Sequence, residues 1–417
     1  MIDRAPPVPG VARVRIPSTL TGILRETARL IHDPALLLWC LYLCLVPYYV
    51  FYSGLPQPGD MLVLLLVPVA LRAWNGRLDR TARRPLSTLI AFSLWVLLIN
   101  WGWAVLVGNF ALFGPDTFIV FPVYYLYNTA VFLVVCVLYQ RYGVRFLWLT
   151  LHVVFFTVAV QVASSLVLHR GGGRGALFFN NPNQLGFFAL VCASLIALGK
   201  RALGFGALKS GLCLTMCCYL ALLSASRAAV IGCAMLLAFT LIANPKQIAV
   251  VAVVILGLAA VGGPVIDAFG QTQDRLALDR YPHLSFFEER GYDRILAHKE
   301  YWLFGAGEGG TSRFADTTLI GGSEIHSSAG TLFFCYGIVG VVIFLAFLLR
   351  ITEGAPLSTK LILIPTLAYT VAHQGLRSTS VWILFAVFVC IKHLLRTHAA
   401  SAAAPLPLRA ALRGGTR

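Results

Sequence analysis

Apolar runs long enough to cross a hydrocarbon core of ~30 Å recur along this chain of 417 residues. They predict spanning helices near 35–53, 60–73, 86–108, 117–139, 146–168, 184–199, 210–224, 228–243, 248–268, 329–349, 359–376 and 379–395. Twelve spans result; the second, eighth and twelfth are short, which leaves counts of eleven and ten open. Most connections between them are short. One is not: residues 269–328 form a polar, Gly- and Arg-rich stretch ending in Glu324-Ile325-His326-Ser327-Ser328. A loop that long is not needed to join two spans, and long loops held at a scaffold's edge are where chemistry concentrates.

The expected architecture is therefore an all-α polytopic membrane protein. Residues 1–34 form a polar N-terminal tail, 35–268 carry spans one to nine, 269–328 the large loop, 329–395 the last three spans, and 396–417 a low-complexity tail expected to be disordered. Within the loop, 285–301 has the makings of an amphipathic helix lying on the membrane or covering a site. No small-residue cleavage site follows the first apolar run, so the start does not read as a cleavable leader.

Composition agrees with this picture: 58% hydrophobic, 12% charged, mean hydropathy +0.79, against roughly 25% charged for a soluble domain. The net charge of +16 falls mostly in one set of connections. Arg72, Arg77, Arg80, Arg83, Arg84, Arg141, Arg145, Lys200, Arg201, Lys209, Lys246, Arg350 and Lys360 share a side with both tails, whereas loops 54–59 and 109–116 hold no Lys or Arg. Positive charge accumulates on the cytoplasmic side, so both termini are expected in the cytoplasm and the large loop on the outer face. The charge is topogenic, and nucleic acid is not an expected partner. The ten cysteines all fall in or beside proposed spans and none in the large loop, which reads as small apolar packing, not a disulfide framework. No metal motif of CxxC or HExxH type occurs.

Against the charge trend, arginines also gather on the expected outer side. Arg170 and Arg174 lie in His-Arg-Gly-Gly-Gly-Arg-Gly, followed by Asn180-Asn181-Pro182-Asn183-Gln184 at a helix start. Arg227 opens the eighth span; Arg290, Arg294 and others lie in the large loop, and Arg377 in the last outer turn. Guanidinium forks at a membrane face suit a pyrophosphate, binding two oxygens at once without losing charge. The plainer alternative is snorkelling or pairing with loop acids such as Glu288, Glu289 and Asp293; Arg227 has no acid nearby in sequence. His326, beside Glu324 and two serines, has the chemistry of a general base with Glu324 orienting it, or of a helix-capping interfacial histidine.

Taken together these residues resemble the O-antigen ligase family. His326-Ser327, nine residues, then Gly337-Ile338-Val339-Gly340 is similar to its His-[Asn/Ser/Gln]-x9-Gly-x-x-Gly signature. Ser226-Arg227-Ala228, Arg290 or Arg294 before Gly305-Ala306-Gly307, and Asn181-Pro182-Asn183 match further motifs of the wider ligase/polymerase superfamily, in its order. The match covers roughly 170–345, and Tyr301-Trp302-Leu303-Phe304 stands where family members often place a proline.

The resemblance implies a membrane-embedded glycosyltransferase of GT-C type. Such an enzyme moves a glycan from undecaprenyl pyrophosphate to a sugar hydroxyl of lipid A–core, with inversion and with neither metal nor other cofactor. His326 would be the general base. Arg227 and Arg290 would hold the pyrophosphate. Arg170, Arg174, Asn181, Asn183, Arg294, Glu324 and Arg377 would line the substrates. Three readings stay open at this point: the ligase, a Wzy-type polymerase or a ligase for another acceptor, and a transporter or flippase. The last expects charges near the midplane, where this chain has few.

Overall fold

The computed structural model describes residues 22, 26–29, 32–52, 55–72, 74, 76–112, 114, 116–168, 174–243, 269–270, 272–274, 285–314 and 324–403. Among them all regular structure is helical, with no strand. In order the helices are α1 (Pro34–Leu45), α2 (Pro58–Arg72), α3 (Arg80–Val107), α4 (Val120–Tyr142), α5 (Val144–Leu168), α6 (Pro182–Leu203), α7 (Ala207–Leu223) and α8 (Arg227–Ala243). Two short helices follow, α9 (Phe286–Glu289) and α10 (Asp293–Ala297). The chain then forms α11 (Ser328–Thr352), α12 (Leu357–Ala372) and α13 (Thr379–Ala403).

Six of these, α3, α4, α5, α6, α11 and α13, are long and apolar enough to cross a membrane. The pattern of cover divides them. In α6 and α13, which pack against each other, 83% and 78% of the most apolar stretch is buried, against 28% in α3. What α3 leaves open is a stripe, Ile90, Leu94, Leu98, Trp101 and Val105, and α11 exposes Ile338, Val342, Leu345 and Leu349. Spacings of three and four put each set on one helix face, and large apolar faces without protein cover are what lipid covers. The protein is a helical membrane protein built around α6 and α13.

Local sequence explains the element ends. Asn181 accepts a hydrogen bond from the Gln184 N–H at 3.0 Å, the Gln184 side chain returns to the Asn181 backbone, and Pro182 takes the first turn, a capping box that starts α6. Asp33 and Ser327 cap α1 and α11 more simply, each side chain accepting one backbone N–H, from Ala35 and Gly330. Several expected spans differ in extent. The first, 35–53, is helical only to Leu45, because Pro47 follows and the chain turns extended. The span expected at 359–376 is broken by a 3-10 turn over Leu361–Leu363, where Pro365 removes the N–H that would bond Leu361. The expected span 248–268 lies outside the described residues.

Two expectations are corrected. The tail thought to be disordered from 396 remains helical to Ala403, as its run of alanines favours. The stretch 285–301 is not one amphipathic helix: Gly291, at φ +75°, breaks it into α9, α10 and a 3-10 turn at Lys299–Tyr301. All ten cysteines are free, eight of them buried, in accord with a packing role.

Candidate functional site

Helices α6, α8, α11 and α13 all begin at one end of the bundle, so their partly positive N-termini face one region. The large loop docks at that end through backbone. Gly337 interrupts α11 with φ +66° and ψ −174°, freeing carbonyls and amides on either side. The carbonyls of Phe334 and Cys335 accept from Ala306 and Gly307 N–H at 2.9 Å each, and Ile338 N–H donates to the Trp302 carbonyl at 2.7 Å. A Cβ on Gly305 would meet the Cys335 carbonyl, and one on Gly337 the Leu303 carbonyl. The Gly-x-Gly and Gly-x-x-Gly motifs are thus two halves of one joint. Tyr292 closes a second attachment, its hydroxyl bonding Ser327 Oγ at 2.6 Å and the Val371 carbonyl at 2.9 Å.

This docking sets His326 against Arg290. The His326 N–H donates to the Arg290 carbonyl at 3.1 Å, and the Arg290 Nη1 reaches His373 Nδ1 at 3.3 Å. That contact uses His373 Nδ1 as acceptor, which requires a neutral ring. Arg290 also lies 3.8 Å from Glu289 and over the Phe286 ring. His326 stays open to solvent at the surface. Even so, the protein packed around its ring, and then the Arg290 cation, push its pKa below the ordinary histidine value. Burial lowers it because only the charged form loses hydration. The neutral imidazole is the form that can accept a proton.

A second arginine group sits where α6 and α8 begin. Arg174 donates Nε–H to the Ser224 carbonyl at 3.0 Å and Nη2–H to Asn183 Oδ1 at 2.7 Å. It thereby ties the turn before α8, where Ala225 takes φ +45°, to the start of α6. Arg227 is the first residue of α8. Tyr369 joins the two groups: its hydroxyl donates to the Asn183 carbonyl at 3.0 Å, and its ring lies 4.9 Å from that of His373.

The other predicted residues have different surroundings. Arg377 is held by two carboxylates, Glu308 Oε1 at 2.8 Å from its Nε and Glu324 Oε2 at 2.6 Å from its Nη1. Glu308 is 2% exposed and also accepts from the Tyr336 hydroxyl, while its backbone exchanges two hydrogen bonds with Asn100. Glu324 bonds Arg377 and acts on His326 as a nearby charge. Arg294 is 3% exposed, turned inward over the rings of Phe314 and Phe334. Asn181 spends its side chain on the α6 cap. Arg170 lies outside the described residues. His326 and Arg290 are therefore brought together, Arg174 and Asn183 bond each other, and Arg294 faces the interior.

Three residues of this cluster carry no sequence motif: Glu308, Tyr369 and His373. The one available signal was the polar turn His373-Gln374-Gly375-Leu376-Arg377 between two apolar runs. Among the described residues no three of His, Cys, Asp and Glu come together as a metal centre would need. No protein-family model matches the chain, and no curated protein matches it either.

Proposed function

We propose that this chain is an O-antigen ligase of GT-C type, working at the periplasmic face of a bacterial inner membrane with both termini in the cytoplasm and twelve spans in all. The observation that carries the reading is the juxtaposition of His326, open to solvent and with its pKa held below the ordinary histidine value, with Arg290 at the end of the bundle where Arg174 and Arg227 also lie. In this mechanism His326 takes the proton of an acceptor sugar hydroxyl on lipid A–core. The oxygen attacks the anomeric carbon of the lipid-linked glycan from the side opposite the leaving group. The bond from that carbon to the undecaprenyl pyrophosphate oxygen breaks, the electron pair leaves with the pyrophosphate, and the configuration inverts. Arg290 and Arg227, with the helix N-termini, stabilise the charge that develops there.

The test is complementation of a ligase-null Gram-negative strain whose core matches the native acceptor, with lipopolysaccharide read on a gel. Wild type restores the high-molecular-weight ladder, and His326→Ala, Arg227→Ala and Arg290→Ala fail at normal membrane levels, since general-base help is worth ~10²–10⁴-fold. A ladder from wild type and all three variants alike removes the mechanism. Absence of any ladder with wild type on a matched core overturns the ligase assignment.

A further inference from the structure

The bundle's other end holds a cavity of about 280 Å³ where the start of α3 meets the ends of α11 and α13. Its wall carries Arg80, Arg84, Arg350, Lys392 and Arg396, with Glu353 the one acid. Positive charge on that face is expected for topology, but topology asks only that cations be near the membrane, not that five of them converge on one concavity. Two features go beyond it. Lys392 is 2% exposed, an ammonium drawn into the bundle and bonded to the Arg350 carbonyl at 2.8 Å, and lysines are rarely that buried. Arg396 is fixed by a 2.8 Å bond to the Glu353 carbonyl, which reduces the side-chain entropy lost on gripping a ligand.

We infer that this cavity binds a phosphate group, at the face opposite the candidate active site. Four guanidinium groups and an ammonium around one cavity, with one acid among them, match a phosphate's charge and its several acceptor oxygens. The location admits two sources. Arg84 and Asn100 lie on the same helix, and Asn100 bonds Glu308 at the site end; at 1.5 Å per residue that separates the two ends by roughly 24 Å, about the distance between the two interfaces of a bilayer. An anionic phospholipid headgroup sits at that depth, and so does inorganic phosphate from solution. The inference is independent of the glycosyltransferase reading.

The experiment uses the full chain in nanodiscs. One arm counts retained phosphatidylglycerol against phosphatidylcholine by native mass spectrometry, and a second titrates inorganic phosphate calorimetrically. Arg80→Gln/Arg84→Gln should weaken phosphate-group binding roughly tenfold to thirtyfold, at about 1 kcal/mol per cation near a surface. Lys200→Gln/Arg201→Gln, which removes equal charge from the same face outside the cavity, should leave it unchanged. If the first variant fails to fold, Arg396→Gln replaces it. Retention of phosphatidylglycerol alone identifies the lipid as the source, and saturation by phosphate alone identifies the free anion. Either supports the site. Equal losses in the cavity and control variants, or no preference for either anion, overturn it.

Discussion

Arginines at the site end divide into two kinds by what their guanidinium groups touch. Arg377 is embedded in carboxylates, and Arg294 and Arg313 lie over aromatic rings, Arg313 also bonding the Ala306 and Gly310 carbonyls. Arg290 also lies over a ring, Phe286, but it is only partly buried and its nitrogens meet a histidine and a partly exposed acid. The two kinds should separate on substitution. Arg377→Ala leaves Glu308 as a buried charge without its cation and should cost about 3–5 kcal/mol, seen as a lower melting temperature in detergent. Arg290→Ala should lose activity while melting close to wild type. The pH profile tests the same residue from another side. Because the pKa of His326 is lowered, its neutral form persists to more acid pH, so glycan transfer should fall only as the pH drops below about 6.5. Arg290→Gln removes a charge that favours the neutral form, so the acid limb of its residual transfer, read in a concentrated membrane assay, should move upward in pH. An unmoved limb would show that His326 is not the titrating base.

At the scale of elements, α11 and the Gly-rich stretch 305–310 stand or fall together. Gly337 provides a backbone conformation that L side chains rarely adopt, at a point where the Leu303 backbone leaves no room for a Cβ. Gly337→Ala should therefore destabilise by more than ~2 kcal/mol and release the loop, which limited proteolysis between 285 and 314 would detect. Gly102→Ala, in the last turns of α3 with open space where its methyl would go, should be neutral or stabilising. Much of this level was legible in the chain itself. The capping pattern Asn181-Pro182-Asn183-Gln184 and the long apolar runs locate α3, α5, α6 and α11 within a few residues or one to two turns, since caps and hydrophobic length are local properties. The spacing from His326 to Gly337 was visible too, without its reason. The glycine matters because residues 302–307 bond across the break, and no local pattern announces a contact between segments some thirty residues apart. The same holds for Glu308, whose partner Arg377 is 69 residues away, and for His373, which looks like an ordinary turn residue until Arg290 is placed beside it.

For the whole molecule, the run of α3 from Arg80 at the cavity to Asn100, bonded to Glu308, places the described part of the loop and the cationic cavity at opposite ends. The turn at 109–119 makes this concrete, since Asp116 accepts from the Ser312 N–H at 3.1 Å while α3, which leads into it, begins at the cavity with Arg80. If the bundle crosses a bilayer in the direction the charge asymmetry implies, the two ends meet different compartments, and labelling can establish which. The native cysteines are a small background because none is exposed. Ser312→Cys and Thr397→Cys replace exposed polar residues at the two ends without altering a topogenic charge. Ser312→Cys should react with a membrane-impermeant maleimide added to cells with a permeabilised outer membrane, and Thr397→Cys only after the inner membrane is opened. The reverse pattern would place His326 and Arg290 in the cytoplasm, away from any periplasmic glycan donor, and the ligase proposal would fail with the topology. Reaction of both from outside would mean that the two ends do not lie on opposite faces of a sealed membrane, contradicting the span of α3, α11 and α13.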